Sequence, residues 1–310
     1  MVGTNSRAAM MNRLIALLLL LVASLDANAL EVFACEPEWG ALVKELAGEN
    51  ANITVATTAF QDPHRLQARP SLIAATRRAD LLICTGADLE IGWLPLLLRR
   101  AGNPDIQAGR SGHFMAADYV RKLEIPMLVD RSQGDIHPQG NPHVHLNPNN
   151  ISRIADKLAE RLGNLDPANA SDYMGRLREF QDRWETATAG WEERGESLSG
   201  LRLVSHHRGF SYLADWLDLD IVATLERKPG IPPSAAHLAS LLEQLSPNPP
   251  AAVVRTPYAN ERPSLWLTER LDVTALRLPY TVNEADGPAD LFALFDRTLT
   301  ALEEVNNERL

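Results

Sequence analysis

The strongest constraint on the fold is an alternation of apolar strands with amphipathic helices, which occurs twice along the chain. Each strand is a short run rich in valine, isoleucine and leucine, and helical periodicity follows it. Strands separated by helices of this length form βαβ units, which pair into parallel sheets with right-handed crossovers. The pattern therefore predicts two α/β lobes. The apolar runs occupy residues 30–36, 52–60, 80–90 and 125–132 in the first half and 201–207, 219–226, 251–258 and 273–282 in the second.

A long charged segment without internal proline separates the two halves. From about Pro167 to Leu198 its large apolar residues recur at helical spacing, and a helix of this length would measure roughly 45 Å. Its two tryptophans, Trp184 and Trp191, lie one heptad apart and are expected to pack in the core. We expect a rigid connecting helix between the lobes. The predicted division is a first lobe over 30–165, the connecting helix over 166–198 and a second lobe over 199–310.

The N-terminus is typical of a secretory signal peptide. Two arginines precede a short apolar run, Leu14 to Leu25, which is followed by Ala27-Asn28-Ala29. A run of this length is too short to span a bilayer comfortably, and the last three residues match an A-x-A cleavage site. We expect residues 1–29 to be removed. Because no lipobox cysteine lies at the cleavage site, the expected product is a soluble periplasmic protein without a lipid anchor.

The charge balance argues against nucleic acid and anionic membranes as partners. Removing residues 1–29 takes away Arg7, Arg13 and Asp26, so the formal net charge changes from −10 to −11. An acidic protein is repelled by phosphate backbones and anionic lipid surfaces. The length that remains is sufficient for two ordinary domains.

The chain has two cysteines, Cys35 and Cys84, and both lie at the ends of predicted strands. The first and third strands of a parallel sheet are often neighbours, and an exported protein meets oxidising conditions. We expect one disulfide bond between them. The alternative is a pair of separate buried thiols.

Histidines follow predicted strands at three places, where the chemistry of open α/β sheets is usually found. They are His64, His143 and the pair His206-His207. His64 and His143 each follow an Asp-Pro or Asn-Pro pair, whose proline restricts the backbone. Imidazoles that converge on a cleft between two lobes predict a metal site, since neutral imidazole is a common zinc ligand.

A fourth ligand is harder to assign from the residues. A carboxylate after the last strand of the second lobe would suit the geometry, and the sequence there contains Glu284 and Asp286. Asp286, next to Gly287, is the preferred candidate and Glu284 the alternative. Each could also be a solvated surface charge, with water in the fourth position.

Four stretches together resemble the periplasmic metal-binding proteins of zinc and manganese ABC importers, the cluster that includes zinc-uptake and adhesin-type lipoproteins. The resemblance covers nearly the whole mature chain and implies two Rossmann-like lobes joined by one long rigid helix, with the metal in the cleft between them. The stretches are "FQDPHRLQARPS", "NPHVHLNP", "SHHRGFSYLADWLDLDIVATLERKPGIPPS" and "VVRTPYANERPSLWL".

The resemblance also implies which histidines bind the metal. The family's Asp-Pro-His pattern matches His64, the pattern around Asn141 to Pro148 selects His143, and alignment of the second-lobe motif selects His207 over His206. Asn141 departs from the family's aspartate, the long His-rich loop of some zinc-specific members is missing, and the family's late carboxylate aligns poorly near Pro279.

Several neighbouring residues carry weaker expectations. His145 is expected to point away from His143 along an extended segment, although it remains a possible alternate ligand. His137 lies in a flexible, glycine-bounded stretch and is a hypothetical accessory residue for metal capture or transfer. Glu226 and Arg255 follow strands and either contact the ligating histidines or form ordinary ion pairs.

The sequence thus favours a monomeric binding protein that carries Zn(II) as cargo to an ABC permease, with a periplasmic metallochaperone as a possible donor. Three imidazoles with at most one carboxylate suit zinc, and manganese is the alternative because it favours oxygen ligands. The competing class is a secreted zinc hydrolase. It is disfavoured because the chain has neither an HExxH motif nor a Gly-x-Ser-x-Gly elbow.

Overall fold

The first lobe is built on a four-stranded parallel sheet. We describe the protein from a computed structural model, which covers residues 29–128, 134–283 and 290–308. The strand order is β2-β1-β3-β4, so the chain runs outward from the centre in both directions. The strands are β1 (Leu30–Ala34), β2 (Ala51–Val55), β3 (Leu81–Cys84) and β4 (His113–Met115).

The second lobe repeats this arrangement. Its sheet is also parallel, with the order β6-β5-β7-β8. The carboxyl ends of both sheets face the same region between the lobes, where the candidate histidines lie. The strands are β5 (Arg202–Ser205), β6 (Asp220–Thr224), β7 (Ala252–Arg255) and β8 (Thr274–Arg277).

Helices follow the strands as the periodicity predicted. In the first lobe and the segment after it they are α1 (Pro37–Ala47), α2 (Pro70–Arg78), α3 (Leu94–Ala101), α4 (Pro148–Leu165) and α5 (Ala170–Gly195). In the second lobe they are α6 (Ser211–Leu217), α7 (Ala235–Leu245), α8 (Arg262–Leu271) and α9 (Leu291–Asn307).

The long connecting helix and the two α/β lobes are confirmed. Helix α5 has 26 residues, which corresponds to about 39 Å. Short 3-10 turns at Pro167–Asn169 and Glu196–Leu198 flank it, so the helical segment nearly fills the predicted range.

One apolar core is continuous across both lobes. It contains strand residues from each sheet, such as Val32 of β1 and Val254 of β7, together with residues of α4, α5 and α9. The outer faces of the two sheets have separate, smaller cores beneath their own helices. The shared core therefore joins the lobes along one side of the molecule.

An aromatic cluster forms the centre of this shared core, and we call it the spine. Trp184 and Trp191 lie on the buried face of α5, as predicted, and their ring centroids are 5.1 Å apart. Trp191 stacks on Phe295 of α9 at 5.0 Å. The indole N–H of Trp184 donates to the carbonyl of Pro148, so its burial leaves no donor unpaired. The spine consists of Phe180, Trp184, Trp191, Phe292 and Phe295.

The disulfide between Cys35 and Cys84 is confirmed. Cys35 follows β1 and Cys84 ends β3. These two strands pair in parallel, so the two side chains meet at the carboxyl end of the sheet. Both are fully buried. The bond locks two neighbouring strands close to the predicted metal region.

One local expectation, the strand at 125–132, needs correction. The fourth strand of the first sheet is β4, whereas the described part of the apolar run 125–132 forms no strand and exposes Met127 and Leu128. The run failed as a strand signal because its apolar residues flank Pro126 and lack a partner edge.

The predicted signal peptide lies outside the described residues. Within residues 29–128, 134–283 and 290–308, no helix is long and apolar enough to cross a membrane.

Candidate metal centre

Three predicted histidines come together between the lobes. His64 and His143 belong to the first lobe and His207 to the second, and their ring centroids are 5.7 to 5.9 Å apart in every pairing. Each offers a nitrogen that lies within 4.8 Å of the other two. The rings form a nearly equilateral triangle, which is the arrangement that three ligands of one ion require.

The two first-lobe histidines are held by the same kind of turn. The side-chain oxygen of Asp62 accepts the backbone N–H of His64 at 3.0 Å, and that of Asn141 accepts the backbone N–H of His143 at 3.0 Å. Such a turn fixes the backbone two residues after an Asp or Asn. The three-residue sequence Asx-Pro-His therefore forms the same local turn at both positions.

Asn141, which departs from the family's aspartate, has a distinct role. Its amide nitrogen donates to Glu124 at 3.0 Å and, across the lobe boundary, to the backbone carbonyl of Arg208 at 2.8 Å. It also lies 3.2 Å from the hydroxyl of Ser211. A carboxylate has no N–H to donate at this position. The asparagine therefore ties the His143 turn directly to the second lobe.

Carboxylates orient the rings of His64 and His207. Asp62 lies 2.7 Å from Nδ1 of His64, and Glu226 lies 2.8 Å from Nδ1 of His207. Burial would raise the pKa of each carboxyl, but hydrogen bonds from the neighbouring histidine outweigh it and leave both pKa values lowered. Each ionised carboxylate accepts a hydrogen bond from Nδ1–H, which leaves the lone pair on Nε2 for a metal.

Tyr280 orients the third ring. Its hydroxyl lies 2.5 Å from Nδ1 of His143, and burial raises the pKa of the phenol well above its ordinary value. Nε2 of His143 is buried and has no hydrogen-bond partner among the described residues. Burial, reinforced by the nearby His207 and His64, also lowers the pKa of His143 well below its usual value. A buried imidazole that stays neutral and aims a free nitrogen at the cleft suits a metal ligand.

A second indole stabilises the His64 turn. The N–H of Trp93 donates to the carbonyl of Pro63 at 2.8 Å, and Trp93 is buried. The residue immediately before His64 is thus anchored to the core of the first lobe.

His137 lies at the edge of the cluster. Its Nε2 is 3.2 Å from Nε2 of His64, and its Nδ1 is buried without a hydrogen-bond partner among the described residues. Burial, together with the neighbouring His64 and His207, lowers the pKa of His137 to about 4. The structure therefore places His137 in contact with His64, which is closer to the site than metal capture at the surface would require.

His145 and His206 are not members of the group formed by His64, His143 and His207. Nε2 of His145 bonds the carbonyl of Tyr280 at 2.8 Å, and its Nδ1 lies 3.3 Å from Glu38. The expectation that His145 turns away is met, but the extended segment is wrong, because residues Val144–Leu146 form a 3-10 turn. His206 is buried, with Nε2 3.8 Å from Glu226.

The remaining residues singled out from the sequence differ in whether they contact the candidate ligands. Glu226 contacts a candidate ligand, whereas Arg255 pairs with Glu261 at 3.0 Å, the ordinary ion pair that was its alternative. Glu284 and Asp286 lie outside the described residues.

The sequence reading missed the partners Asp62 and Tyr280. A local signal existed for Asp62, which precedes His64 by two residues, whereas the contact of Tyr280 with His143 joins residues 137 positions apart.

A cleft of about 520 Å³ opens over the cluster, lined in part by His137, His143 and His207. At its rim the lobes touch through a small set of polar contacts. The backbone N–H of Asp135 donates to the carbonyl of Pro229 at 2.9 Å, and Arg65 lies 3.4 Å from Asp135 and 3.1 Å from the carbonyl of Gly230. We call these residues, Arg65, Gly134, Asp135, Pro229 and Gly230, the clasp.

Two glycines permit the close approach in the clasp. Gly134 and Gly230 have φ of 88° and 72°, a region that other residues rarely adopt. A Cβ on Gly134 would also collide with the carbonyl of Pro229 and one on Gly230 with the carboxylate of Asp135.

Comparison with known proteins agrees with this geometry. The sequence profile described as "Zinc-uptake complex component A periplasmic", ZnuA, matches residues 32–305. The chain belongs to the ZnuA family. A crystal structure of ZnuA superimposes with a TM-score of 0.73 at 19% identity, covering 90% of this chain and 99% of that one.

Curated relatives of this ZnuA-family chain are named for zinc and for manganese. The zinc-binding lipoprotein AdcA of Streptococcus pneumoniae R6 is 22% identical over 270 residues, which cover 86% of this chain and 53% of the relative. The manganese ABC transporter substrate-binding lipoprotein PsaA of S. pneumoniae TIGR4 is 23% identical over 178 residues, covering 56% and 54%. The chain spans about half the length of these relatives.

Family membership confirms the resemblance inferred from the sequence. The family description names a component of zinc uptake, and the relatives are named as metal-binding proteins of transporters. The relatives do not separate zinc from manganese.

Proposed function

We propose that this ZnuA-family protein is a high-affinity zinc-binding protein that captures Zn(II) in the periplasm and delivers it to an ABC permease. The observation that carries the proposal is the triangle of His64, His143 and His207. Their nitrogens lie within 4.8 Å of one another, and each Nδ1 has a partner that fixes its ring. Ligands placed before the ion arrives need little ordering on binding, which favours high affinity.

The donor set favours zinc. Neutral imidazole nitrogens are preferred zinc ligands, whereas manganese sites contain more carboxylate, carbonyl and water oxygens. Asp286, or Glu284 as the alternative, remains the sequence-based candidate for a carboxylate at the fourth position. Relatives named for manganese make that ion the second candidate cargo.

Partner and location follow as parts of the same proposal. A free periplasmic protein without a lipid anchor, acting as a monomer, would carry the ion from a periplasmic metallochaperone to the permease. Support comes from the family's periplasmic description and from the predicted signal peptide.

The test replaces one ligand and one unrelated histidine. In His143→Ala we expect zinc affinity, measured by competition with a chromophoric chelator, to fall by more than roughly 10–100-fold, the range reported for residues that merely support a ligand. His113→Gln is the matched control, because His113 begins β4 at the opposite end of the sheet. Unchanged zinc binding by His143→Ala would refute the site.

Parallel titrations with Mn(II) identify the cargo. Zinc should bind more tightly than manganese by a wide margin. The reverse order would assign the protein to manganese transport, with the same histidines.

A further inference from the structure

We propose that Glu38 of the first lobe positions His143, acting through the second-lobe segment Tyr280-Thr281 that it holds in place. The inference rests on the proposed function and deepens it, because it names the contact that keeps one of the three candidate ligands directed at the ion. In this role Glu38 is a positioning residue and not a ligand.

The three candidate ligands differ in which lobe orients their rings. The rings of His64 and His207 are oriented by carboxylates of their own lobes. His143 belongs to the first lobe, but the hydroxyl beside its Nδ1 belongs to Tyr280 of the second lobe. The orientation of His143 therefore depends on how the Tyr280 segment docks on the first lobe.

Two first-lobe side chains hold that segment. The hydroxyl of Thr281 donates to Oε2 of Glu38, over a separation of 243 residues in the sequence. Nε2 of His145 donates to the backbone carbonyl of Tyr280 at 2.8 Å, since a carbonyl oxygen has no proton to give. Oε1 of Glu38 lies 3.3 Å from Nδ1 of the same imidazole. Glu38 thus contacts both the segment and the histidine that bonds it.

Glu38 itself has a fixed place in the first lobe. It lies in the first turn of α1 and is 2% exposed. The backbone N–H groups and the dipole at the start of a helix stabilise a carboxylate there. Because α1 packs against the long helix α5, the carboxylate is a rigid anchor point for the segment of the other lobe.

Little free space separates these groups. Glu38, His143, His145, Tyr280 and Thr281 all line one cavity of about 20 Å³. The Tyr280 ring is buried and makes edge contacts with both imidazoles, with centroids 5.6 Å from His143 and 5.3 Å from His145. In a close-packed interior a displaced side chain moves its neighbours. A shift of Tyr280 therefore changes the orientation of His143 and the direction of its Nε2.

The consequence is a metal site in which one ligand depends on a contact between the lobes. Partners that orient a ligand change metal affinity by roughly 10–100-fold when they are removed. Loss of the contact between Glu38 and Thr281 should act through His143 alone, because the other two rings keep the carboxylates of their own lobes.

The test uses Thr281→Val, which removes the donated hydrogen bond with little change of shape, and Glu38→Met, which removes the acceptor. In both we expect unchanged zinc stoichiometry and an affinity about tenfold below that of the wild type, measured by chelator competition. Thr281→Ser, which keeps the hydroxyl, should retain the wild-type affinity. The matched control is Thr298→Val, because Thr298 is buried and donates to the carbonyl of Leu294 within α9. It should leave zinc affinity unchanged.

A double-mutant cycle with His143→Ala separates positioning from a general loss of structure. Since the proposed effect passes through His143, Thr281→Val should cause no further loss of zinc affinity in the His143→Ala background. A tenfold loss in both backgrounds, or wild-type affinity in Thr281→Val, would overturn the proposal, and this holds even if Glu38→Met does not fold. Unchanged zinc binding by His143→Ala alone would instead refute the proposed function.

Discussion

The lobes are joined in two regions that differ in kind, the spine at the back and the clasp at the mouth of the cleft. The spine is an apolar contact in which Trp184 and Phe295 are almost completely buried. The clasp consists of one backbone hydrogen bond from Asp135 to Pro229, a hydrogen bond from Arg65 to the carbonyl of Gly230, and the exposed pair of Arg65 and Asp135, whose side chains are 64% and 44% exposed. Burial of aromatic surface contributes several kcal/mol, whereas an exposed ion pair contributes about 0–1 kcal/mol.

We infer from this difference that the spine holds the lobes together and that the clasp controls access to the site. A continuous core across α4, α5 and α9 resists relative rotation of the lobes. The clasp can open at small cost, because few buried contacts are lost. Ion entry and release should therefore involve local opening at the clasp, and not a hinge motion of whole lobes.

The largest effect should come from the spine. Trp184→Ala removes a side chain that is 1% exposed and contacts four other aromatic rings, and it should lower the free energy of unfolding by about 3–5 kcal/mol. Urea unfolding of the metal-free protein measures this. The folded variant should retain zinc stoichiometry. A loss of less than about 1 kcal/mol would mean that the spine does not carry the junction.

An intermediate effect on stability should come from acid pH, which acts on the histidines of the candidate metal centre. Burial first, then His207 and His64, lowers the pKa of His143, so the folded metal-free protein resists protonation that the unfolded chain accepts below about 6.5. The unfolded state then binds more protons, and stability falls as the pH drops from 6.5 toward 5. Each such histidine contributes up to about 1.4 kcal/mol per pH unit.

The control for this prediction replaces the imidazole of His143 by a side chain that cannot titrate. In His143→Gln the decrease in unfolding free energy between pH 6.5 and 5 should be smaller, whereas Trp184→Ala should keep the wild-type slope. Equal slopes in wild type and His143→Gln would contradict the assignment of acid sensitivity to the cluster.

The smallest effect on stability should come from the clasp. Arg65→Ala should change the unfolding free energy by less than about 1 kcal/mol but accelerate zinc release to a chelator in stopped-flow measurements. Arg121→Ala is a matched control, because Arg121 forms a similarly exposed pair with Asp215 of the second lobe at 3.5 Å, outside the clasp. Equal acceleration in both variants would show that any exposed arginine bonded to the second lobe slows release, and not the clasp in particular.

The sequence predicted the architecture because strand and helix periods are local signals. The alternation of strands and helices, the long helix and the packing of Trp184 follow from such signals, and the disulfide follows from the tendency of the first and third strands of a parallel sheet to be neighbours. The failed strand at 125–132 shows the limit, since an apolar run becomes a strand only where a sheet edge is available to pair with it.

The site was predicted in part for a related reason. His64, His143 and the pair His206-His207 were singled out because they follow strands or Asx-Pro pairs, and the family resemblance selected His207. Tyr280 was missed, because its contact with His143 joins residues 137 positions apart and depends on how the lobes pack. The close approach of His137 to His64 likewise follows from loop placement, which no local pattern encodes.

The anchoring of the His64 turn by Trp93 has an optical consequence. Of the six tryptophans, Trp184 and Trp191 lie in the spine, away from any part expected to move, whereas the Trp93 indole bonds the residue next to a candidate ligand. Indole emission depends on the polarity and quenchers around the ring. We therefore expect the emission of Trp93 to change when an ion binds, while that of the spine tryptophans stays constant.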